Sequence, residues 1–192
     1  IQSNTDLTLQ GGTLTVQGTT GIQADCHLTL DGVSLEVTGT NGCGIQCSNG
    51  LSVQNDSTVT ATGSSSGIRV TEGTLFAEHA RLSAQGGENG IDTDRCQVDV
   101  KEAVVEASGS RQCGFRATGG STLSVVDSEL TAEGGQYGLY ASCTSLALDG
   151  ATIDATSTDG TGIAFSGADL TVEGITLITA NGANCGLEAP NC

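Results

Sequence analysis

The chain has 192 residues, a net charge of −16, aromatic side chains at only 3% of positions, and neither Met nor Trp. So strong a negative charge argues against nucleic acid and anionic membrane surfaces as partners. The shortage of large side chains argues against a compact three-dimensional core; a thin core of stacked Ile, Leu, Val and Ala suits the composition better.

A glycine followed by a bulky apolar residue recurs along the chain: Gly21-Ile22, Gly44-Ile45, Gly67-Ile68, Gly90-Ile91, Gly114-Phe115, Gly138-Leu139, Gly162-Ile163 and Gly186-Leu187. The steps between these glycines are 23, 23, 23, 24, 24, 24 and 24 residues. A fixed period of this size marks a repeat architecture in which each unit buries its apolar side against its neighbours. The repeats, with a partial one before Gly21, make residues 1–192 a single elongated domain. The chain starts at Ile1 and ends at Cys192 with no signal peptide, transmembrane run or lipidation motif in view, and it is expected to be a piece of a longer, exported protein.

Two further apolar pairs follow each of the first seven glycines. They are Leu28/Leu30 then Leu35/Val37, Leu51/Val53 then Val59/Ala61, Leu75/Ala77 then Leu82/Ala84, and Val98/Val100 then Val105/Ala107. Leu123/Val125 then Leu130/Ala132, Leu146/Leu148 then Ile153/Ala155, and Leu170/Val172 then Leu177/Thr179 complete the series, with Leu7/Leu9 and Leu14/Val16 ahead of Gly21. Each pair alternates with polar residues, the period-2 pattern of a strand buried on one face. Three short strands per repeat, with no room for a helix, predict an all-β fold: a right-handed, single-stranded parallel β-helix of about eight rungs. The inward column is Ile22, Ile45, Ile68, Ile91, Phe115, Leu139, Ile163 and Leu187. The repeat glycine is expected to supply either a left-handed or a crowded corner. The step from Leu51 to Val59 is one residue longer than its counterparts and predicts a bulge near Asn55–Ser57.

The eight cysteines fall at four positions of the repeat: one before the glycine (Cys43, Cys113, Cys185), three after it (Cys47), five after (Cys26, Cys143) and six after (Cys96, Cys192). Cys26 with Cys47, and Cys185 with Cys192, are the pairs that neighbouring rungs could bring within disulfide reach. Cys96, Cys113 and Cys143 have no such neighbour and are expected to pack as free thiols. His27 beside Cys26 is the one place where a zinc ligand pair could arise.

Outward residues at equivalent positions form columns. All six bases (Arg69, Arg81, Arg95, Lys101, Arg111, Arg116) lie between residues 69 and 116. Two positions after the repeat glycine, Arg69, Asp92, Arg116 and Tyr140 occupy successive rungs, with Asp94 beside them. Guanidinium forks bind carboxylates and a Tyr ring can stack on a sugar, so this column is a candidate shallow site for an anionic glycan. The alternative is an Arg–Asp–Arg salt-bridge ladder. Asp149 and Glu173, on adjacent rungs, are candidate calcium ligands; no other metal or cofactor is expected. The third-strand face carries Thr13, Thr15, Thr58, Thr60, Thr62, Thr131, Thr152, Thr156 and Thr176, a ladder that could order water, interrupted by Glu36, Arg81, Glu106, Glu129, Glu133 and Asp154.

Catalysis is not expected. Spacings that vary by one residue leave no long loops to wall a cleft. Asp92 and Asp94 form an outward acid pair with no such walls, and neither His27 nor His79 finds a Ser or Cys partner at its own register position.

The segments Gly21-Ile-Gln-Ala…Leu28-Thr-Leu-Asp-Gly-Val-Ser-Leu-Glu-Val37 and Gly162-Ile-Ala-Phe…Leu170-Thr-Val-Glu-Gly-Ile-Thr-Leu177 resemble the repeats of secreted bacterial right-handed β-helix proteins of the carbohydrate-binding, pectate-lyase-like group, over about residues 7–189. The resemblance implies a secreted or cell-surface bacterial protein, binding to acidic polysaccharide, and calcium. Those relatives often carry Asp-Asp before the Gly-Ile; the chain has Gly42-Cys43, Ser65-Ser66 and Gln112-Cys113 there. The expected function is a non-catalytic binding module for acidic polysaccharide. The alternative is a structural stalk or adhesin spacer, either one monomeric or associating end to end.

Overall fold

The computed structural model describes residues 1–167 and 169–190. These form 25 β-strands in three parallel sheets of nine, eight and eight strands, with no helix among the described residues. Each sheet takes every third strand in chain order. Thus Ile22–Ala24 pairs with Ile45–Cys47, Leu28–Asp31 with Leu51–Gln54, and Ser34–Gly39 with Thr58–Gly63. The protein is a parallel β-helix with three strands per rung; sheets one, two and three are named here after the first, second and third strand of the repeat.

The apolar columns run up the inside. Ile68 lies opposite Ile91, Ile91 opposite Phe115, Phe115 opposite Leu139, and Leu139 opposite Ile163. Ile22, Ile45, Ile68, Ile91, Phe115 and Leu139 have no exposed surface. Burying each side chain stabilises the coil by roughly 1.5–3 kcal/mol. Leucine and valine columns from sheets two and three close the same core.

Of the two roles expected for the repeat glycine, crowding is the one observed. Gly114 does not have a positive φ. A Cβ on it would stand 2.4 Å from the backbone nitrogen of Glu133 and 2.8 Å from the carbonyl oxygen of Ala107. The left-handed conformation falls instead at the corner between the second and third strands, where Gly11, Gly32, Asn55, His79, Glu102, Asp127, Gly150 and Gly174 all have φ between 46° and 63°. A non-glycine residue there carries a cost of about 1–2 kcal/mol, and the middle rungs carry it.

The extra residue expected near Asn55–Ser57 is present, with Asn55 and Asp56 both left-handed. The Ser57 hydroxyl fills the corner: it donates to the Gln54 carbonyl at 2.6 Å and accepts from the Val33 amide at 3.2 Å. The last described rung repeats this device and corrects the inward register predicted for it. Ile178 and Ala180, not Leu177 and Thr179, lie opposite Ile153 and Ala155. Leu177 pairs with outward Thr152 and is exposed. The cause is one added residue at Gly174–Thr176, where the Thr176 hydroxyl donates to Glu173 O at 2.6 Å and accepts from the Ala151 amide at 3.3 Å. Thr176 is therefore a corner residue and not part of the Thr-rich face.

The predicted Cys26–Cys47 disulfide is not formed; both thiols are free. Register explains this. Cys47 points inward opposite Ala24, whereas Cys26 lies two residues further on, with its thiol against the Asn4 carbonyl at 3.3 Å. Cys185 is also free, and Cys192 lies outside the described residues. Cys96, Cys113 and Cys143 are free and buried, as expected. Gly114→Ala should lower stability by about 1–3 kcal/mol, since the new methyl group meets backbone and no rotamer can relieve the contact. Urea unfolding of the variant beside wild type measures this, and an unchanged midpoint would contradict the packing described.

Candidate functional site

Parallel pairing in sheet one sets Arg69 opposite Asp92, Asp92 opposite Arg116, and Arg116 opposite Tyr140. The four residues predicted to share a face therefore do so. Neighbouring strands lie about 4.8 Å apart, so the two guanidinium groups close on Asp92 from either side. Arg116 Nη1 donates to Asp92 Oδ1 at 2.8 Å, and Arg69 Nε lies 3.7 Å from Asp92 Oδ2. The Asp92 side chain is only 9% exposed, against 47% for Arg69 and 36% for Arg116.

The two arginines are not equivalent. Partial burial disfavours the Arg116 charge, but the hydrogen bond and charge of Asp92 override it, so its pKa lies above the ordinary arginine value. Arg116 is tied to the carboxylate. The Arg69 guanidinium donates no hydrogen bond among the described residues and faces solvent. Next to Arg116 the rings of Tyr140 and Tyr137 lie with centroids 4.9 Å apart, tilted by 51°. Sequence reasoning placed Tyr140 here but not Tyr137, which sits on the same strand (Tyr137–Ala141) three residues earlier.

Asp94 is on the same strand as Asp92 but belongs to a different cluster. Its carboxylate accepts from Arg95 Nε at 3.2 Å, and Arg95 reaches on to Glu72 at 3.1 Å. Two further bases are similarly occupied, Lys101 by Glu78 at 3.1 Å and Arg81 by Glu106, whereas Arg111 has no ion pair among the described residues. At the left-handed corner His79 Nε2 lies 3.0 Å from Glu102 Oε2. These pairs are exposed and screened by solvent, so they add little to stability.

Asp149 and Glu173 stand opposite each other in sheet two, as predicted. No three His, Cys, Asp or Glu side chains converge on a metal-sized space among the described residues. Nor do Cys26 and His27 form the zinc pair considered above, because the His27 ring turns away to Ser52, with Nε2 2.8 Å from Ser52 Oγ. His27 thus has no serine at its own register position, and its partner lies on a diagonal. Ser52 is two residues out of register with His27, and the imidazole crosses Gly50 to reach it.

Five surface depressions lie away from the arginine ladder. One on sheet three is lined by Ser83, Gln85, Glu106, Ser108, Thr131 and Glu133, so carboxylates break the Thr array at this depression. None of the five depressions found is walled by a long loop, and Arg69, Asp92, Arg116 and Tyr140 line none of them. Compared with known proteins, the chain matches no family model, and no curated protein or solved structure is significantly similar to it.

The buried thiols give a measurable pH signature. Burial pushes Cys47 and Cys113 up to about 12 and Cys96 and Cys143 up to about 11, from an ordinary 9.0. A pKa raised on folding contributes stability that is complete below the unfolded value and is lost as pH climbs toward the folded one. The protein should therefore hold its stability to about pH 9 and lose it progressively toward pH 11–12, while a neutral-pH thiol titration modifies Cys26 and Cys185 well before the five buried cysteines. Simultaneous modification of all the thiols in native protein would refute that burial.

The asymmetry of the ladder gives a second expectation. Arg116→Ala strands a buried carboxylate without its hydrogen bond and should cost about 1–3 kcal/mol. Arg69→Ala should cost about 0–1 kcal/mol. Equal losses in urea unfolding would show that Asp92 depends on both arginines alike.

Proposed function

We propose that the chain is a binding module for an anionic glycan, a uronate-containing polysaccharide, which lies along the axis of sheet one over Arg69, Asp92, Arg116 and Tyr140. The observation that carries this reading is the solvent-facing Arg69 guanidinium. It keeps its donor fork open on the rungs beside a tyrosine pair, in a protein of net charge −16. Asp92 consumes one positive charge of the two and aligns both arginines. A ligand carboxylate takes the free N–H groups of Arg69, and a sugar face rests on Tyr140 and Tyr137. Parallel β-helices suit an extended polymer, because equivalent side chains repeat in line with it.

Calcium is not part of the proposed site, since Asp149 and Glu173 lie on sheet two. The β-helix repeat pattern supports an extracellular setting, secreted or at a bacterial surface. A second reading, a stalk or adhesin-type spacer, draws on a different observation. The core runs unbroken through the rungs, and the depressions on the surface are open.

The test is binding to uronate polymers by calorimetry, with and without a calcium chelator, for wild type, Arg69→Ala and an Arg69→Ala/Arg116→Ala double variant. Binding that falls about tenfold or more in Arg69→Ala and is unaffected by chelator is the expected outcome; tenfold corresponds to about 1.4 kcal/mol, close to the lower end of the range for one charge-assisted hydrogen bond. If wild type binds no uronate polymer, the spacer reading replaces the glycan one.

A further inference from the structure

His27 and Ser52 lie on sheet two, away from the arginine ladder, and nothing in the glycan reading uses them. Ser52 is outward and half-buried on Leu51–Gln54, flanked in register by Thr29 on one rung and Phe76 on the next. His27 precedes the strand Leu28–Asp31 and sits level with Gly50 of the following rung. Gly50 has φ +119°, and a Cβ there would come within 2.5 Å of His27 Nδ1. Its missing side chain opens the path by which the imidazole reaches Ser52 Oγ at 2.8 Å.

The tautomer follows from the other ring nitrogen. His27 Nδ1 lies 3.4 Å from the backbone carbonyl oxygen of Asn49. A carbonyl only accepts, so Nδ1 carries the proton, and Nε2 presents its lone pair to the Ser52 hydroxyl. Ser52 donates and His27 accepts. A nucleophile hydrogen-bonded to a base that is itself oriented by a third group is the arrangement that activates a serine. The neighbouring Phe76 gives an acyl or aryl group an apolar surface to rest on.

We propose that Ser52 is a His27-activated nucleophile that accepts an acyl group from aryl esters. In the step, Ser52 Oγ bonds to the ester carbonyl carbon while its proton passes to His27 Nε2. The bond from that carbon to the aryl oxygen then breaks, and the leaving oxygen takes the proton from Nε2, so that the phenol departs and the imidazole is neutral again. Water, deprotonated by the same nitrogen, hydrolyses the acyl-serine, releases the carboxylic acid and restores the hydroxyl. General-base assistance of this kind is worth about 10²–10⁴-fold.

The experiment uses p-nitrophenyl acetate and an alkyl fluorophosphonate, following p-nitrophenolate release and the site of the covalent adduct by peptide mass spectrometry. Ser52 should be the modified residue. Ser52→Ala should abolish the adduct, and His27→Ala should slow labelling of Ser52 by about 100-fold. Added free imidazole should restore labelling in His27→Ala, which separates loss of the base from loss of the fold. If Ser52 reacts at the same rate in wild type and His27→Ala, or if the adduct forms elsewhere, the proposal fails. Uronate binding by sheet one is unaffected by either result.

Discussion

Every feature of this protein depends on the chain returning to the same place after each rung. Parallel pairing between successive rungs needs the three strands of one repeat to lie over those of the last, and it leaves the inner column continuous only if the path length is held. A repeat of 23 or 24 residues is the length of that path. A residue added after the second strand, as at Asn55–Ser57 and Gly174–Thr176, is absorbed within that corner. A Ser or Thr hydroxyl there satisfies the backbone groups that the bulge displaces, as Ser57 and Thr176 both do. Without such a plug the extra residue would turn the following strand over and send its apolar side chains into solvent.

The same stacking decides what happens to charge. Outward residues on neighbouring rungs are held about 4.8 Å apart whether or not their charges agree, so like charges repel where Asp149 stands opposite Glu173, and other columns avoid this by alternating opposite signs. Arg69, Asp92 and Arg116 do this, and so do Glu78 with Lys101 and Arg81 with Glu106. The bases gather in the middle rungs, where eight of the acids also lie. Inward positions accept only uncharged groups. Cysteine serves there as a small apolar residue, with its thiol held protonated by burial.

The three faces have separate chemistries because each column inherits a different position of the repeat. Sheet one carries the arginine ladder with its tyrosine pair, sheet two the His27–Ser52 contact, and sheet three the Thr and Glu rows. Among the described residues no long loop crosses from one face to another, so each face acts through its own side chains and the corners beside it.

The strand period, the three-sheet coil, the inward columns and the membership of the Arg69–Asp92–Arg116–Tyr140 column were legible in the sequence. All follow from spacing alone, since in a parallel ladder equal positions in successive repeats become neighbours. Tertiary structure decided whatever departs from equal spacing. The Cys26–Cys47 pair fails because a two-residue offset carries one thiol into the corner and the other into the core. The last rung shifts by one because its corner takes an extra residue, which the apolar pair Leu177/Thr179 concealed. His27 finds Ser52 diagonally, across the gap left by Gly50, and the asymmetry between Arg69 and Arg116 rests on ångström distances to a buried Asp92. Periodicity encodes which rung and which face a residue occupies; the direction and reach of its side chain depend on what the neighbouring rungs leave open.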